Sequence, residues 1–353
     1  MKSIKLPEPR DWTRKKIYTP LKLQRIVMEV FGGCNYTCKM CPQSDPGRGK
    51  DFNRKMPLKI FEEVLDKVVP KYGRPIVNLE GSGEPTMAKD LPKYIKAVKS
   101  RGLKAFMYCN GSRLNGKFMN DVIDSGIDFV RFSLIGYNKE KYSKWMNVDN
   151  FDLIKSNIKE TIKYVEKTKS KCVVSTYHLI TDNNQINFEV EEYKKIISEL
   201  KCYAYIWKMH NWSGNYANKN PRKPTERKSC GRPFAPELTV RAGGDPGRIA
   251  SVVPCCQTMG PPNEAKSILG HLDKETFEEV YFGKKYEELR EAHTEKKFDK
   301  IDYCKNCDFL YQDPEILVWS NDKKAKINHM LGTDEDFILT DYNKSNMTKN
   351  TSE

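Results

Sequence analysis

Three cysteines that lie close together are the residues of this chain best suited to unusual chemistry. Cys34, Cys38 and Cys41 form the pattern C-x3-C-x2-C directly after an apolar segment. A structural zinc site is closed by four ligands, so three thiolates would need a distant fourth ligand. Iron–sulfur clusters also take four thiolates, so a cubane held by three leaves one iron with an open position. The loop by itself therefore favours an iron–sulfur cluster over zinc.

A second group of cysteines lies in the C-terminal part of the chain. Cys230 is followed by the adjacent pair Cys255 and Cys256, and Cys304 and Cys307 form a C-x2-C pair. A C-x2-C pair with two more cysteines is typical of a tetrahedral zinc site. A second iron–sulfur cluster with four cysteine ligands would use the same residue types. Spacing alone favours zinc slightly and leaves both metals open.

Apolar and amphipathic segments alternate along the chain and must position the first cysteines. The apolar run 23–30 predicts a buried strand, and 56–69 carries apolar residues at helical spacing. Repetition of this pattern to residue 210 predicts six strands with five intervening helices. Such alternation indicates an α/β fold with a parallel sheet and right-handed crossovers. An open doubly wound sheet and a barrel-like sheet both satisfy this pattern, and both bind ligands at the carboxyl ends of their strands.

Composition narrows the class of protein. The 353 residues suffice for one large domain and a smaller one, and no apolar run is long enough for a transmembrane helix. The N-terminus has no secretory signal, so we predict a cytoplasmic protein whose 11 cysteines are reduced. The net charge of +14 comes from scattered lysines, which is more typical of a basic surface than of nucleic-acid binding. We expect Cys109, Cys172 and Cys202 to be buried structural thiols.

The first cysteine loop resembles the signature of the radical S-adenosylmethionine (radical SAM) superfamily. Met40 is the hydrophobic residue before the last cysteine, and Ser82-Gly83-Glu84 is similar to the family's Gly-Gly-Glu motif, with serine replacing the first glycine. The resemblance implies a partial (β/α)6 TIM-like barrel and a [4Fe-4S] cluster on Cys34, Cys38 and Cys41. SAM would chelate the open iron, and its reductive cleavage would give a 5′-deoxyadenosyl radical. The SAM-binding residues implied are Met40, Ser82, Gly83, Glu84, Asn110, Ser133 and, more weakly, Ser175.

The second cysteine group resembles the SPASM/twitch extension found at the C-terminus of radical SAM enzymes. The similar segments are 230–258, 268–293 and the C-x2-C pair. The resemblance implies an auxiliary [4Fe-4S] cluster, and the cysteines available suffice for one such cluster rather than two. The implied ligands are Cys230, Cys255, Cys304 and Cys307, with Cys256 as the alternative to Cys255.

These patterns divide the chain into five predicted regions. They are an N-terminal extension 1–22, a radical SAM partial barrel 23–210, a linker 211–229, a SPASM/twitch-like domain 230–318 and a polar C-terminal tail 319–353.

The resemblance implies an oxidoreductase-type enzyme but leaves its substrate open. In the family, this extension serves peptide modification and the oxidation of alcohols on small sugars or cyclitols. Only 33 residues precede Cys34, too few for the leader-binding domain of many peptide maturases. We therefore expect a small substrate, carbohydrate-like or anionic, with flavodoxin or ferredoxin as electron donor and no membrane or nucleic-acid partner. Peptide modification, RNA modification and a non-enzymatic zinc-binding interaction protein stay as alternatives.

A two-electron oxidation would also need a base and a second electron acceptor. The auxiliary cluster is a candidate for the acceptor. Tyr205, Lys208 and His210 lie near the end of the sixth predicted strand, but none of them is assigned a catalytic role.

Overall fold

The computed structural model describes residues 22–216, 227, 229–311 and 317–323. The predicted N-terminal extension, most of the predicted linker and most of the predicted tail therefore lie outside the described residues. Within the described ranges, no helix is long and apolar enough to cross a membrane.

A parallel sheet of six strands forms the N-terminal part of the structure and confirms the predicted alternation. The strands are mostly buried apolar runs, as expected when crossover helices cover them. The register pairs Ile26 with Val77 and Phe132 with Thr176, so successive strands run in the same direction. The strands are β1 Arg25–Met28, β2 Ile76–Asn78, β3 Lys104–Cys109, β4 Phe129–Ser133, β5 Val173–Ile180 and β6 Tyr203–Lys208.

The connection between β4 and β5 contains two helices, whereas the sequence predicted one. The additional helix, Lys139–Met146, begins at Asn138, whose side chain accepts a hydrogen bond from the Lys141 backbone N–H at 2.8 Å. It is short and buries only Tyr142 and Met146, so its helical periodicity is weak in the sequence. The helices of this half are α1 Leu58–Tyr72, α2 Leu91–Ser100, α3 Gly116–Asp124, α4 Lys139–Met146, α5 Phe151–Thr168 and α6 Ile186–Leu200.

The second cysteine region is joined to the same sheet. Strand β7 (Glu237–Arg241) pairs in parallel with β1, and β8 (Ser251–Val253) and β9 (Gly270–His271) continue the sheet antiparallel. At the opposite edge, β10 (Leu317–Ser320) pairs antiparallel with β6. The strand order is β10-β6-β5-β4-β3-β2-β1-β7-β8-β9. Backbone hydrogen bonds therefore fix the two cysteine regions relative to each other.

One hydrophobic core runs through both regions. Leu238 and Phe277 from the C-terminal region belong to the same cluster of buried side chains as Ile26 and Phe61. The remaining helices of this region are α7 Asn263–Lys266, α8 Phe277–Tyr281 and α9 Lys284–Thr294.

Strand β10 crosses the boundary that the sequence placed between residues 318 and 319. Trp319 and Ser320, assigned to the polar tail, belong to the sheet. The predicted boundaries at 210 and 229 fall in the connection between β6 and β7, and they stay predictions.

Candidate active site between the two cysteine sets

A cavity of about 280 Å³ lies at the carboxyl ends of the parallel strands. Its lining includes the first three cysteines and several residues of the C-terminal region. Ligands of parallel α/β folds bind at this end of the sheet, as the position of the first cysteines predicted. The lining includes Cys34, Cys38 and Cys41 of the first loop and Cys256, Gln257 and Phe309 of the C-terminal region.

The first cysteine loop is held by close packing against the turn after β2. A Cβ added to Gly83 would lie 2.2 Å from the Phe31 carbonyl oxygen and 2.4 Å from that of Gly33. The Glu84 backbone N–H donates to the Gly33 carbonyl oxygen at 2.8 Å. Only glycine permits this approach at position 83, so the Ser82-Gly83-Glu84 turn fixes the backbone that precedes Cys34.

The three thiols of this loop are strongly desolvated. Burial, reinforced by the Glu84 carboxylate, raises the pKa of Cys34 to about 12. Burial also raises the pKa of Cys38 well above its ordinary value and raises the pKa of Cys41. The thiolate is the form that ligates metal, so binding of iron must displace these protons.

The Glu84 side chain is committed to the protein itself. One carboxylate oxygen accepts hydrogen bonds from the Thr86 backbone N–H at 3.0 Å and the Thr86 hydroxyl at 2.5 Å. The other accepts from the Asn110 backbone N–H at 2.6 Å. Glu84 thereby ties the end of β3 to the turn after β2.

Asn110 touches the first cysteine loop directly. Its amide nitrogen lies 3.9 Å from the Cys34 sulfur and donates to the Asn35 side-chain oxygen at 2.9 Å. The Tyr36 backbone N–H donates to the same Cys34 sulfur at 3.4 Å. Hydrogen bonds to a cluster's sulfur ligands tune its reduction potential, so Asn110 fits a role at the cluster as well as at SAM.

A buried charge network behind the cavity escaped the sequence analysis. The Arg48 guanidinium forms a bidentate ion pair with Glu264 of α7 at 2.8 and 2.9 Å, and both side chains are 2% exposed. Arg48 also donates to the Gly32 carbonyl oxygen at 2.8 Å and to the Ser82 hydroxyl at 2.6 Å. It thereby joins the first cysteine loop, the turn after β2 and the C-terminal region. A lone arginine and a distant glutamate give no local signal in the sequence.

Ser82 has a structural reason to differ from the family's glycine. Its hydroxyl donates to Glu29 at 2.6 Å and accepts from Arg48 at 2.6 Å. The Ser82 backbone N–H donates to the same Glu29 carboxylate. Glu29 also accepts from Arg241 at 3.3 Å and from the Ala242 backbone N–H at 3.0 Å. The serine hydroxyl thus bridges two buried charges.

The predicted SAM-binding residues do not all reach the cavity. Met40, Ser82, Gly83, Glu84, Asn110 and Ser133 line it. Ser175, by contrast, is buried in β5 outside the lining, where its hydroxyl accepts from the Arg131 Nε at 3.2 Å. The structure therefore does not place Ser175 with the other predicted contacts. Of the sixth-strand candidates, Lys208 and His210 line the cavity, whereas Tyr205 bonds Asp322 at 2.8 Å.

The second cysteine set forms an electrostatically coupled group. The charges of Cys230 and Cys255 both raise the pKa values of Cys304 and Cys307, after the larger effect of burial. Burial, opposed by Arg232, raises the pKa of Cys255 to about 12. Four thiols from distant parts of the chain thus share one neighbourhood. This grouping supports Cys255 over Cys256 as the fourth ligand.

Cys256 faces the cavity instead. Its sulfur accepts from the Arg232 guanidinium at 3.6 Å and from the Gln257 side-chain amide at 3.6 Å. All three residues line the cavity. Cys255 and Cys256 therefore have different surroundings, although they are adjacent in the chain.

Both donor sets suit iron–sulfur clusters in their chemistry. Each consists of reduced cysteines, the ligands that such clusters take, with no histidine within the first loop. The first set offers three thiols beside a cavity, and the second offers four. Among the described residues, no three His, Cys, Asp or Glu side chains surround a point that could hold a single metal ion.

The other cysteines have mixed surroundings. Cys109 and Cys172 are buried, and Cys202 is half-buried. Cys109 also lines the cavity, which the sequence did not predict.

Comparison with known protein families defines the class. The Radical SAM superfamily model matches residues 28–190, and the SPASM iron–sulfur cluster-binding domain model matches residues 237–308. The chain belongs to the radical SAM superfamily and carries a C-terminal SPASM iron–sulfur domain. The first domain binds a [4Fe-4S] cluster and SAM, and the second binds auxiliary iron–sulfur clusters.

Curated relatives match this chain over part of its length. An uncharacterized protein of Methanocaldococcus jannaschii is 27% identical over 193 residues, covering 55% of this chain and 59% of that protein. A probable GTP 3′,8-cyclase of Thermococcus kodakarensis is 31% identical over 142 residues, which cover 40% of this chain and 44% of that protein. The chain thus spans about half the length of these curated relatives.

Solved structures share the fold across both domains. BtrN in complex with AdoMet and 2-DOIA superposes with a TM-score of 0.53 at 19% identity, covering 81% of this chain and 92% of BtrN. Streptococcus suis SuiB bound to the precursor peptide SuiA superposes with a TM-score of 0.59 at 13% identity, covering 84% of this chain and 72% of SuiB. Native anSMEcpe with AdoMet and the Cp18Cys peptide superposes with a TM-score of 0.53 at 15% identity, covering 94% of this chain and 100% of anSMEcpe. At these identities the likeness shows the fold.

Proposed function

We propose that this enzyme cleaves SAM reductively and uses the resulting radical to oxidise a small, hydroxylated, carbohydrate-like molecule, with the help of one auxiliary [4Fe-4S] cluster. The observation that carries the proposal is the shared cavity. Cys34, Cys38 and Cys41 line it together with Arg232, Cys256 and Gln257 of the C-terminal region. A substrate in this cavity would therefore contact residues of both cysteine regions.

The chain's own residues have distinct roles in this proposal. Cys34, Cys38 and Cys41 would hold the SAM-binding cluster, and Cys230, Cys255, Cys304 and Cys307 the auxiliary one. When bound, cluster and SAM supply a radical that abstracts a hydrogen atom. Aromatic side chains give the cavity a water-excluding wall on which a ring can stack. They are Tyr36, Tyr108, Tyr177, Trp207, Trp212 and Phe309.

The ligands bound in the neighbouring solved structures suggest the competing substrates. BtrN was crystallised with 2-DOIA, whereas SuiB and anSMEcpe were crystallised with peptides. Peptide modification is therefore the second candidate. The low identities leave the choice to experiment.

Anaerobic reconstitution tests the proposal in two steps. The holoenzyme should contain about eight irons with matching sulfide, and SAM with dithionite should yield 5′-deoxyadenosine. Zinc without iron would contradict the enzyme assignment and support the zinc-binding alternative. The holoenzyme is then incubated with SAM and either 2-DOIA, a pool of cyclitols and monosaccharides, or the Cp18Cys peptide.

Product masses decide between the candidates. Loss of two hydrogens from a polyol supports the proposal, and modification of the peptide alone would replace it by the second candidate. RNA modification would require RNA binding that weakens steeply with salt. A flavodoxin or ferredoxin donor and a cytoplasmic location stay predictions.

A further inference from the structure

Besides Arg232, whose Nε is in the same state, three polar side chains of the cavity lining carry a buried atom that lacks a hydrogen-bond partner among the described residues. They are the Glu80 Oε2, the Gln257 Oε1 and the Trp212 Nε1. Buried polar atoms are paired in native proteins with few exceptions, so each of these atoms requires an explanation. Their common position on one cavity makes a bound ligand the simplest explanation.

Glu80 lies at the carboxyl end of β2 and is oriented by its neighbours. Its Oε1 accepts a hydrogen bond from the Asn78 side-chain amide at 3.1 Å, which leaves Oε2 without a partner in a residue that lines the cavity. The charges that act on it come from three strands. Arg25 of β1 and Arg131 of β4 favour its ionised form, and Glu237 of β7 opposes it.

The balance of these effects suits proton transfer near neutral pH. Burial outweighs the Asn78 hydrogen bond and the two arginines and raises the pKa of Glu80 to about 7. A carboxylate of ordinary pKa is too weak a base for this task, whereas one near 7 both accepts and releases a proton. Perturbed carboxyl groups inside clefts are candidates for catalysis when geometry also supports the role.

Gln257 and Trp212 contribute to the cavity lining from the C-terminal half of the chain. The Gln257 amide nitrogen donates to Cys256 at 3.6 Å, which leaves its oxygen as the free acceptor. Trp212 has a left-handed backbone, with φ of 48°, which is uncommon outside glycine. Its neighbour Asn211 exchanges hydrogen bonds with Asp308 at 2.9 and 3.1 Å and holds this turn to the C-terminal region.

The three atoms define complementary ligand chemistry. Glu80 Oε2 and Gln257 Oε1 accept hydrogen bonds, whereas the Trp212 indole N–H donates one. Hydroxyl groups satisfy both requirements because each donates one hydrogen bond and accepts others. A compact molecule with several hydroxyl groups therefore matches the site.

We propose that Glu80 is the proton acceptor of the oxidation, taking the hydroxyl proton of the substrate carbon that loses its hydrogen, while Gln257 and Trp212 bind further hydroxyl groups. This inference rests on the proposed function. In a secondary alcohol, the SAM-derived radical removes the C–H hydrogen as an atom. Glu80 takes the O–H proton, and an iron–sulfur electron acceptor takes the remaining electron. The carbon–oxygen single bond becomes a carbonyl, and Glu80 then releases its proton to water.

Infrared difference spectroscopy tests the proton acceptor without a substrate. Spectra of the SAM-loaded holoenzyme at pH 5.5 and 8.5 are compared for wild type, Glu80→Gln and the exposed control Glu160→Gln. We expect a protonated carboxyl band that titrates near pH 7 in wild type and in Glu160→Gln but is missing from Glu80→Gln. A band that is identical in all three proteins, or one that titrates at the ordinary pH of a carboxylate, would overturn the assignment.

Turnover on a polyol that the screen identifies tests the chemistry. The ratio of carbonyl product to 5′-deoxyadenosine should fall about a hundred-fold in Glu80→Gln, the usual minimum for general-base catalysis. The wild-type ratio should rise with pH through about 7, because Glu80 must be ionised to act. Glu80→Asp, which keeps the carboxylate, should recover part of the loss.

The affinity for SAM separates this role from a structural or cofactor-binding one. A product ratio equal to that of wild type, with a Kd for SAM raised ten-fold or more, would assign Glu80 to SAM and refute the proposal. Failure of the proposed function looks different, because then neither wild type nor Glu160→Gln oxidises any polyol. The infrared band decides about Glu80 in that case too.

Discussion

The two cysteine sets of this protein are built in opposite ways. The first comes from eight consecutive residues, 34–41, in one loop after β1. The second is assembled from the segment before β7, the segment after β8 and the turns after α9, which bring Cys230, Cys255, Cys304 and Cys307 together. A local loop encodes its metal chemistry in spacing, whereas a dispersed set depends on the fold around it.

The two sets also differ in their relation to the cavity. All three cysteines of the first set line it, but none of the four proposed auxiliary ligands does. Cys256, next to Cys255 in the chain, is the cysteine of this region that lines the cavity. The first set is therefore accessible to a molecule in the cavity, whereas the four cysteines proposed for the second cluster are not part of its lining.

Replacing the first set should produce the largest effect. In a Cys34→Ala, Cys38→Ala, Cys41→Ala variant, 5′-deoxyadenosine formation should fall to background. Iron should fall from about eight to about four per chain, because the auxiliary ligands remain. Iron analysis and chromatography of SAM products measure both quantities. Cleavage of SAM above background in this variant would mean that the first set does not hold the active cluster.

The adjacent cysteines 255 and 256 provide a matched pair for the second set. Cys255→Ala should lose about half of the iron, because it removes one of four ligands to the auxiliary cluster. Cys256→Ala, one residue away, should keep the iron. Iron analysis with Mössbauer or EPR spectroscopy of both holoenzymes checks the assignment. The reverse result would make Cys256 the ligand and would place that cluster at the cavity.

Disrupting the Arg48–Glu264 ion pair should destabilise the contact between the first cysteine loop and the C-terminal region. Glu264→Gln leaves the Arg48 charge buried and incompletely paired, which costs about 3–5 kcal/mol of unfolding free energy. Denaturant unfolding of the anaerobic holoenzyme gives the value. The control Glu288→Gln removes an exposed partner of Lys284 at 3.8 Å and should cost less than about 1 kcal/mol. Equal losses of unfolding free energy in the two variants would show that the buried ion pair stabilises the protein no more than the exposed one.

The smallest effect is expected at Ser82. Ser82→Ala removes one hydroxyl that bridges two charges and should cost about 1–3 kcal/mol of unfolding free energy. The half-exposed Ser143, whose hydroxyl lies 3.4 Å from Asp149, provides the control Ser143→Ala. The same unfolding experiment measures both variants. A neutral Ser82→Ala would mean that the serine is present for another reason, such as contact with SAM.

Sequence patterns predicted the parallel sheet because each buried strand and amphipathic helix leaves a local periodic signal. Their limits are visible at α4, where eight residues with two buried side chains gave too weak a period. Strand β10 was missed for a related reason, because four residues near the polar C-terminal segment cannot be recognised without the β6 edge that they pair with.

The sequence pointed to some residues of the candidate site and not to others. The spacing of Cys34, Cys38 and Cys41 singled out the first loop, and the resemblance to a family motif pointed to the Ser82-Gly83-Glu84 turn; all of these residues line the cavity. Ser175 lies outside the cavity lining, since a strand residue alternates between two faces and no sequence signal showed that Arg131 binds it. Glu80 was overlooked although it is two residues from Ser82, because its importance comes from burial and from charges on three other strands.

The sequence by itself determined the three-cysteine loop and the alternation of strands and helices, because both are local properties of the chain, and the family resemblance of that loop indicated its chemistry. The tertiary structure alone decided which distant groups share one cavity. Pairing of β7 with β1 and the Arg48–Glu264 contact join the region of the second cysteine set to that of the first. Burial beside this cavity then changed the proton affinity of Glu80. Both effects depend on three-dimensional distance and on the exclusion of water, and neither is encoded in the spacing of residues along a chain.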